Sequence, residues 1–76
     1  MNLEENYRYF LNQLPLLIVD HKNKFVLIRN CTCINFFDNI ESALKSAINN
    51  YPDQNFIIQE VTDDARVNYI NEMLLN

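Results

Sequence analysis

Segments whose apolar residues recur every three or four positions alternate along the chain with segments in which they crowd together. Leu3, Tyr7, Phe10, Leu11 and Leu14 share helical spacing. Asn2 stands where a cap belongs, and Glu4 and Glu5 fall in the first turn, where the helix dipole favours acids. Pro15 has no backbone N–H, so it either kinks that helix or opens a second one at its first position. The run Leu16-Leu17-Ile18-Val19 suits a buried strand as well as a helix. A short helix is expected, ending near His21-Lys22-Asn23 with Asn23 as a left-handed cap.

Phe25 to Arg29 and Thr32 to Phe37 read as two strands joined by Asn30-Cys31, because asparagine is the best non-glycine for a two-residue turn that needs positive φ. A regular register would pair Ile28 with Cys33, Leu27 with Ile34 and Phe25 with Phe36. Phe25, Leu27, Ile34 and Phe36 would then share one face, and Val26, Ile28, Cys33, Asn35 and Phe37 the other. Asp38-Asn39-Ile40-Glu41 has capping-box spacing with Asp38 as the cap, and Ile40, Ala43, Leu44, Ala47, Ile48 and Tyr51 form the apolar stripe of the helix that follows. Asn50 and Pro52 end it. Asn55 to Val61 is a third strand, with Phe56 and Ile58 on one side and Ile57 and Val61 on the other. Thr62-Asp63-Asp64 caps a last helix whose stripe is Val67, Ile70, Met73 and Leu74.

The fold expected is α+β: one domain over 1–76, with a core over 1–61 and a C-terminal helix over 62–76. Its sheet has three strands, antiparallel-dominated, in order 2-1-3, with the third strand returning beside the first through a crossover helix. The early helices and the crossover helix are expected on one face of that sheet.

Composition narrows the function classes. Ten acidic residues against six basic ones give a formal charge of −4, which argues against non-specific nucleic-acid binding, since that needs a basic face. The longest apolar run is far short of the roughly 20 residues of a membrane span, and the start, Met-Asn-Leu-Glu-Glu, lacks the basic and apolar regions of a signal peptide. A cytoplasmic chain with reduced thiols is expected. There is no glycine, so positive-φ positions must fall to other residues, asparagine first.

Lys24-Phe25, Phe37-Asp38, Glu41-x-Ala43 and Phe56-Ile57-Ile58-Gln59 carry a resemblance over Lys22 to Val61. This half of the chain is similar to a family of small uncharacterised prokaryotic domains of unknown function. Their members read roughly Gly-Lys-Phe-Val-x-Ile, an Asp-Gly turn, Val-Ile-Gly-x-Phe-Asp, x-x-Glu-Ala and a closing Phe-Leu-Ile-Gln strand. Asn23, Cys31 and Asn35 stand where those members have glycine. The resemblance implies the hairpin and the capped helix, places Cys31 at a turn, and brings no activity with it.

Candidate chemistry centres on Cys31-x-Cys33. A metal would need two more donors, and the chain offers one histidine, His21, and no third cysteine. A disulfide between residues two apart on a strand sits at the far limit of the ~4.4–6.8 Å Cα span a bridge tolerates. A nucleophilic thiol would need a base, and Arg29 lies across the turn. Cys33 therefore reads as a small core residue and Cys31 as a tolerated turn residue. Asn30-Cys31-Thr32 matches a glycosylation acceptor without a secretory context. Asp20-His21 are adjacent and do not face each other on a helix, Asp63-Asp64 read as capping, and Tyr7, Tyr9 and Phe10 as core and rim rather than base-stacking residues.

The function expected is a non-enzymatic protein–protein interaction module, an accessory or regulatory partner of a larger protein, with no catalytic residue, cofactor or metal. The alternatives are a thiol-based redox protein using Cys31 and Cys33, or a small-ligand sensor at a dimer interface. Both faces of the sheet read as apolar, and one terminal helix would leave part of one face bare, so a homodimer or a partner protein is expected there. The interface residues expected are Phe37, Ile57, Val67, Ile70, Met73 and Leu74.

Overall fold

The computed structural model describes residues 3–63, in the order α1 (Leu3–His21), β1 (Phe25–Arg29), β2 (Thr32–Phe37), α2 (Ile40–Asn50) and β3 (Ile57–Glu60). β1 lies at the centre of the sheet with β2 and β3 antiparallel on either side of it, giving the order 2-1-3 and the α+β class expected. The C-terminal helix expected over 62–76, with Val67, Ile70, Met73 and Leu74, falls outside the described residues but for its first two positions.

α1 is a single helix of 19 residues that runs through Pro15, not two helices. Pro15 points to solvent, so its ring displaces no packing, and the ambiguous run Leu16–Val19 is helical because Leu17 buries against the sheet. Asn23 takes the left-handed conformation expected of it, φ 69°, and its N–H donates to the Val61 carbonyl at 2.7 Å.

The hairpin turn is the two-residue loop expected, with Asn30 and Cys31 both at positive φ, 54° and 53°. The register beyond it differs. Ile28 pairs with Cys33, but Leu27 pairs with Asn35, Val26 with Phe36 and Phe25 with Phe37, with an irregularity at Leu27/Ile28. One residue, Ile34, is left over opposite that step, as in a β-bulge, and it is exposed. The extra residue moves Phe36 to the face of Val26 and Ile28, and Phe37 to the face of Phe25 and Leu27, the reverse of the regular register.

α2 is capped by Asn39, not Asp38. Asn39 has extended backbone, and its Oδ1 accepts the Ser42 N–H at 2.8 Å, while Asp38 turns away to pair with Lys24. Ala43 and Ala47 are fully buried, and Ile48, expected in the stripe, is exposed. At its end the Tyr51 N–H donates to the Ala47 carbonyl at 2.7 Å.

The two helices cover opposite faces of the sheet. Phe10 and Leu17 of α1 pack with Val26, Ile28, Ile57 and Val61. Ala43 and Ala47 of α2 pack with Leu27, Phe56 and Ile58. β3 thus splits as expected, but the helices do not share one face. The small alanine face of α2 lets it sit close to the large residues of the sheet, while α1 brings aromatic and leucine side chains. Val26, Leu27 and Ile28, on the central strand, are sealed from both sides.

Candidate functional site

Among the described residues, three surfaces carry the chemistry. The first joins the hairpin tip to the first turns of α1. Asn6, fully buried, accepts the Cys31 backbone N–H on its Oδ1 at 2.9 Å. The Cys31 thiol lies 3.7 Å from the Glu5 carbonyl, and the Tyr9 hydroxyl makes a long contact of 3.9 Å to Cys33 Sγ. Neither cysteine is in a disulfide, and both are half-buried. Burial first, and the Cys33 thiol next, push the Tyr9 phenol above its ordinary value, so at neutral pH it stays protonated. It is then a donor towards sulfur and not a base that could generate a thiolate.

His21 does not join this cluster. It stacks on Phe36 with ring centroids 3.7 Å apart and planes 8° from parallel. It lies twelve positions along α1 from Tyr9, about 18 Å along the axis. Among the described residues, no group of three or more His, Cys, Asp and Glu could hold a metal ion. Asp63 pairs with Lys22 at 2.9 Å, and Tyr7 stacks with the buried Phe10 inside the core.

The second surface is the loop after α2. Arg29 donates to both carboxylate oxygens of Asp53, at 2.8 and 3.0 Å, and to the Asn55 carbonyl at 3.2 Å. Its guanidinium lies 4.6 Å over the Tyr51 ring. The Arg29 hydrogen bond, and then the Asn55 N–H, hold the Asp53 carboxyl below its ordinary value. This clamp fixes the crossover from α2 into β3, a structural role that the sequence did not signal, since Arg29 and Asp53 lie 24 residues apart.

The third surface is the outer side of α1. Leu11, Leu16 and Val19 are 45%, 68% and 76% exposed, with the exposed Pro15 between them. Leu11, expected in the buried stripe with Phe10 and Leu14, stands instead on the rim of this patch. Sequence periodicity alone could have found it: once Leu17 is assigned to the Phe10 side, Leu16 and Val19 must turn away from the sheet.

Ile57, expected at an interface, is fully buried beneath α1, and Phe37 is half-buried against the cluster of Leu27, Ala43, Ala47, Phe56 and Ile58. The chain's own helices therefore cover Ile57 fully and Phe37 in part. Val67, Ile70, Met73 and Leu74 lie outside the described residues. Among the described residues no helix is long and apolar enough to cross a membrane. No protein-family model matches the chain, and neither a curated protein nor a solved structure matches it.

Proposed function

We propose that the protein is a non-enzymatic interaction module of the cytoplasm and that it docks through the outer face of α1. One observation carries this reading. Leu11, Leu16 and Val19 lie on the solvent side of a helix whose other side already holds Phe10 and Leu17 against the sheet. Scattered exposed apolar residues are normal on a protein surface, whereas several on one helix face form a patch of the kind that interaction sites use. The patch contributes nothing to the sheet core, so its apolar character serves something outside that core.

The test is site-specific photo-cross-linking in the native cell, with the reactive residue at Val19 in one protein and at the exposed Glu41 of α2 in another. A discrete protein adduct from Val19 and none from Glu41 is the expected result. Adducts of equal yield from both positions, or from neither, contradict the reading.

A further inference from the structure

The outer stripe of α1 is patterned along its length. Glu4, Arg8, Leu11, Pro15 and Val19 succeed one another at steps of three and four residues, flanked by Glu5, Asn12 and Leu16. The first turn is acidic, the middle and end are apolar, and Lys22, 51% exposed, follows directly after the helix. Arg8, within the acidic end, pairs with Glu4 at 2.7 Å; beyond that pair the stripe runs from an acid, Glu5, through apolar residues to a base, Lys22, and is complementary to itself when turned end for end.

We propose that the outer face of α1 docks a second copy of this chain, α1 against α1, antiparallel about a twofold axis. The inference rests on the reading of this face as a docking surface and adds what docks there. Setting Glu5 of one copy opposite Lys22 of the other fixes the register. Leu11 then opposes Leu16, the aliphatic stem of Arg8 lies over Val19, and Asn12 opposes Pro15. Lys22 keeps its bond to Asp63, because an ammonium carries three donors.

The Asn12–Pro15 match carries its own chemistry. Pro15 lacks the N–H that would bond the Leu11 carbonyl within the helix, and the amide of Asn12 on the other copy is a donor placed beside that carbonyl. The antiparallel arrangement also sets each helix's positive end beside the other's negative end. A parallel pairing would bring Glu4 and Glu5 of the two copies together. Exposed ion pairs contribute little to affinity, so the charges select the orientation and the apolar residues hold the contact. Every contact occurs twice, as twofold symmetry requires.

Sedimentation equilibrium of the full chain at tens of micromolar tests this, with circular dichroism to confirm that each variant is folded. Wild type is expected to sediment as a dimer. Leu16→Glu, and independently Val19→Glu, should weaken association on the order of a hundredfold, because each substitution enters the interface twice. Glu5→Lys should weaken it roughly tenfold by setting like charges opposite each other, and adding Lys22→Glu should restore it. A monomeric wild type overturns the proposal, as does a dimer that survives both Leu16→Glu and Val19→Glu. A monomer that still cross-links to another protein through Val19 overturns the second copy alone and leaves the docking surface standing. Protection of the α1 face within a monomer would mean that residues of the same chain cover it, and that too overturns the second copy.

Discussion

The backbone N–H of Cys31 donates to the side chain of Asn6 at 2.9 Å, and this bond ties the hairpin tip to the second turn of α1 across 25 positions of sequence. Cys31 sits at φ 53°, a conformation that costs a non-glycine residue on the order of 1 kcal/mol or more. In a chain without glycine, an outside contact has to hold the turn. Asn6→Ala removes the acceptor and should cost about 1–3 kcal/mol, the usual range for stranding a buried donor. Urea denaturation reads the cost. Amide exchange should accelerate at Cys31 more than at Leu27, and equal acceleration at both would mean that the bond does not act locally.

The cap of α2 yields a ranking. Asn39→Ala removes the oxygen that accepts the Ser42 N–H and should cost about 1 kcal/mol. Asp38→Ala removes only an exposed pair with Lys24, for which about 0–1 kcal/mol is usual. Ala43→Asp, which buries a charge against Leu27 and Phe56, should exceed both. Chemical denaturation of the three variants checks the order, and Asp38→Ala above Asn39→Ala would restore the cap to Asp38.

The difference between those two caps shows where sequence reading stopped. Asp and Asn cap equally well and stand side by side at Asp38-Asn39, so composition cannot choose; the choice falls to Asn39 once Lys24, far along the chain, draws Asp38 away. The left-handed Asn23, the Asn30-Cys31 turn and the strand order were legible because each is local or follows from connectivity. The leftover residue opposite Leu27 was not, since nothing in Cys33-Ile34-Asn35 marks an extra residue, and one extra residue exchanges the faces of Phe36 and Phe37. The same limit hid the exposed apolar face of α1. Leu16 and Val19 read as core until the partner of each helix face is known, and Ile57, expected at an interface, is covered by α1 itself.

The Arg29–Asp53 clamp predicts a pH dependence. The clamp lowers the folded-state pKa of Asp53. Its contribution is therefore complete above the unfolded carboxyl value of about 4 and is lost as pH falls through the lowered folded value. Arg29 stays charged throughout this range. Asp53→Asn should be less stable than wild type at neutral pH, with the gap closing as the solution is acidified below about pH 4. Urea midpoints across the acid range measure it; a gap that stays constant with pH would mean that the carboxylate charge plays no part.

Pro15 should cost α1 stability. Its place in a helix interior is worth about 3 kcal/mol less than alanine, partly offset by about 0.4–1 kcal/mol from the stiffer unfolded chain. Because Pro15 is exposed, replacing it loses no packing. Pro15→Ala should stabilise the monomer by about 2 kcal/mol, read as a higher urea midpoint at unchanged slope. A lower midpoint would mean that a bend at Pro15 is needed to seat Leu17 and Ile18.

Leu16 and Leu17 are neighbours in sequence with opposite exposure, 68% and 8%, and comparing one substitution at both tests the proposed division of α1 into a core side and a docking side. The measurement is the unfolding free energy of Leu16→Glu and of Leu17→Glu, taken at a concentration where sedimentation shows wild type to be monomeric. Leu17→Glu should lose several kcal/mol, on the order of 3 or more, by burying a charge among Phe10, Val26 and Ile57. Leu16→Glu should stay within about 0.5 kcal/mol of wild type. A loss at Leu16 comparable to that at Leu17 would make the outer face of α1 part of the fold itself and would contradict its use as a docking surface.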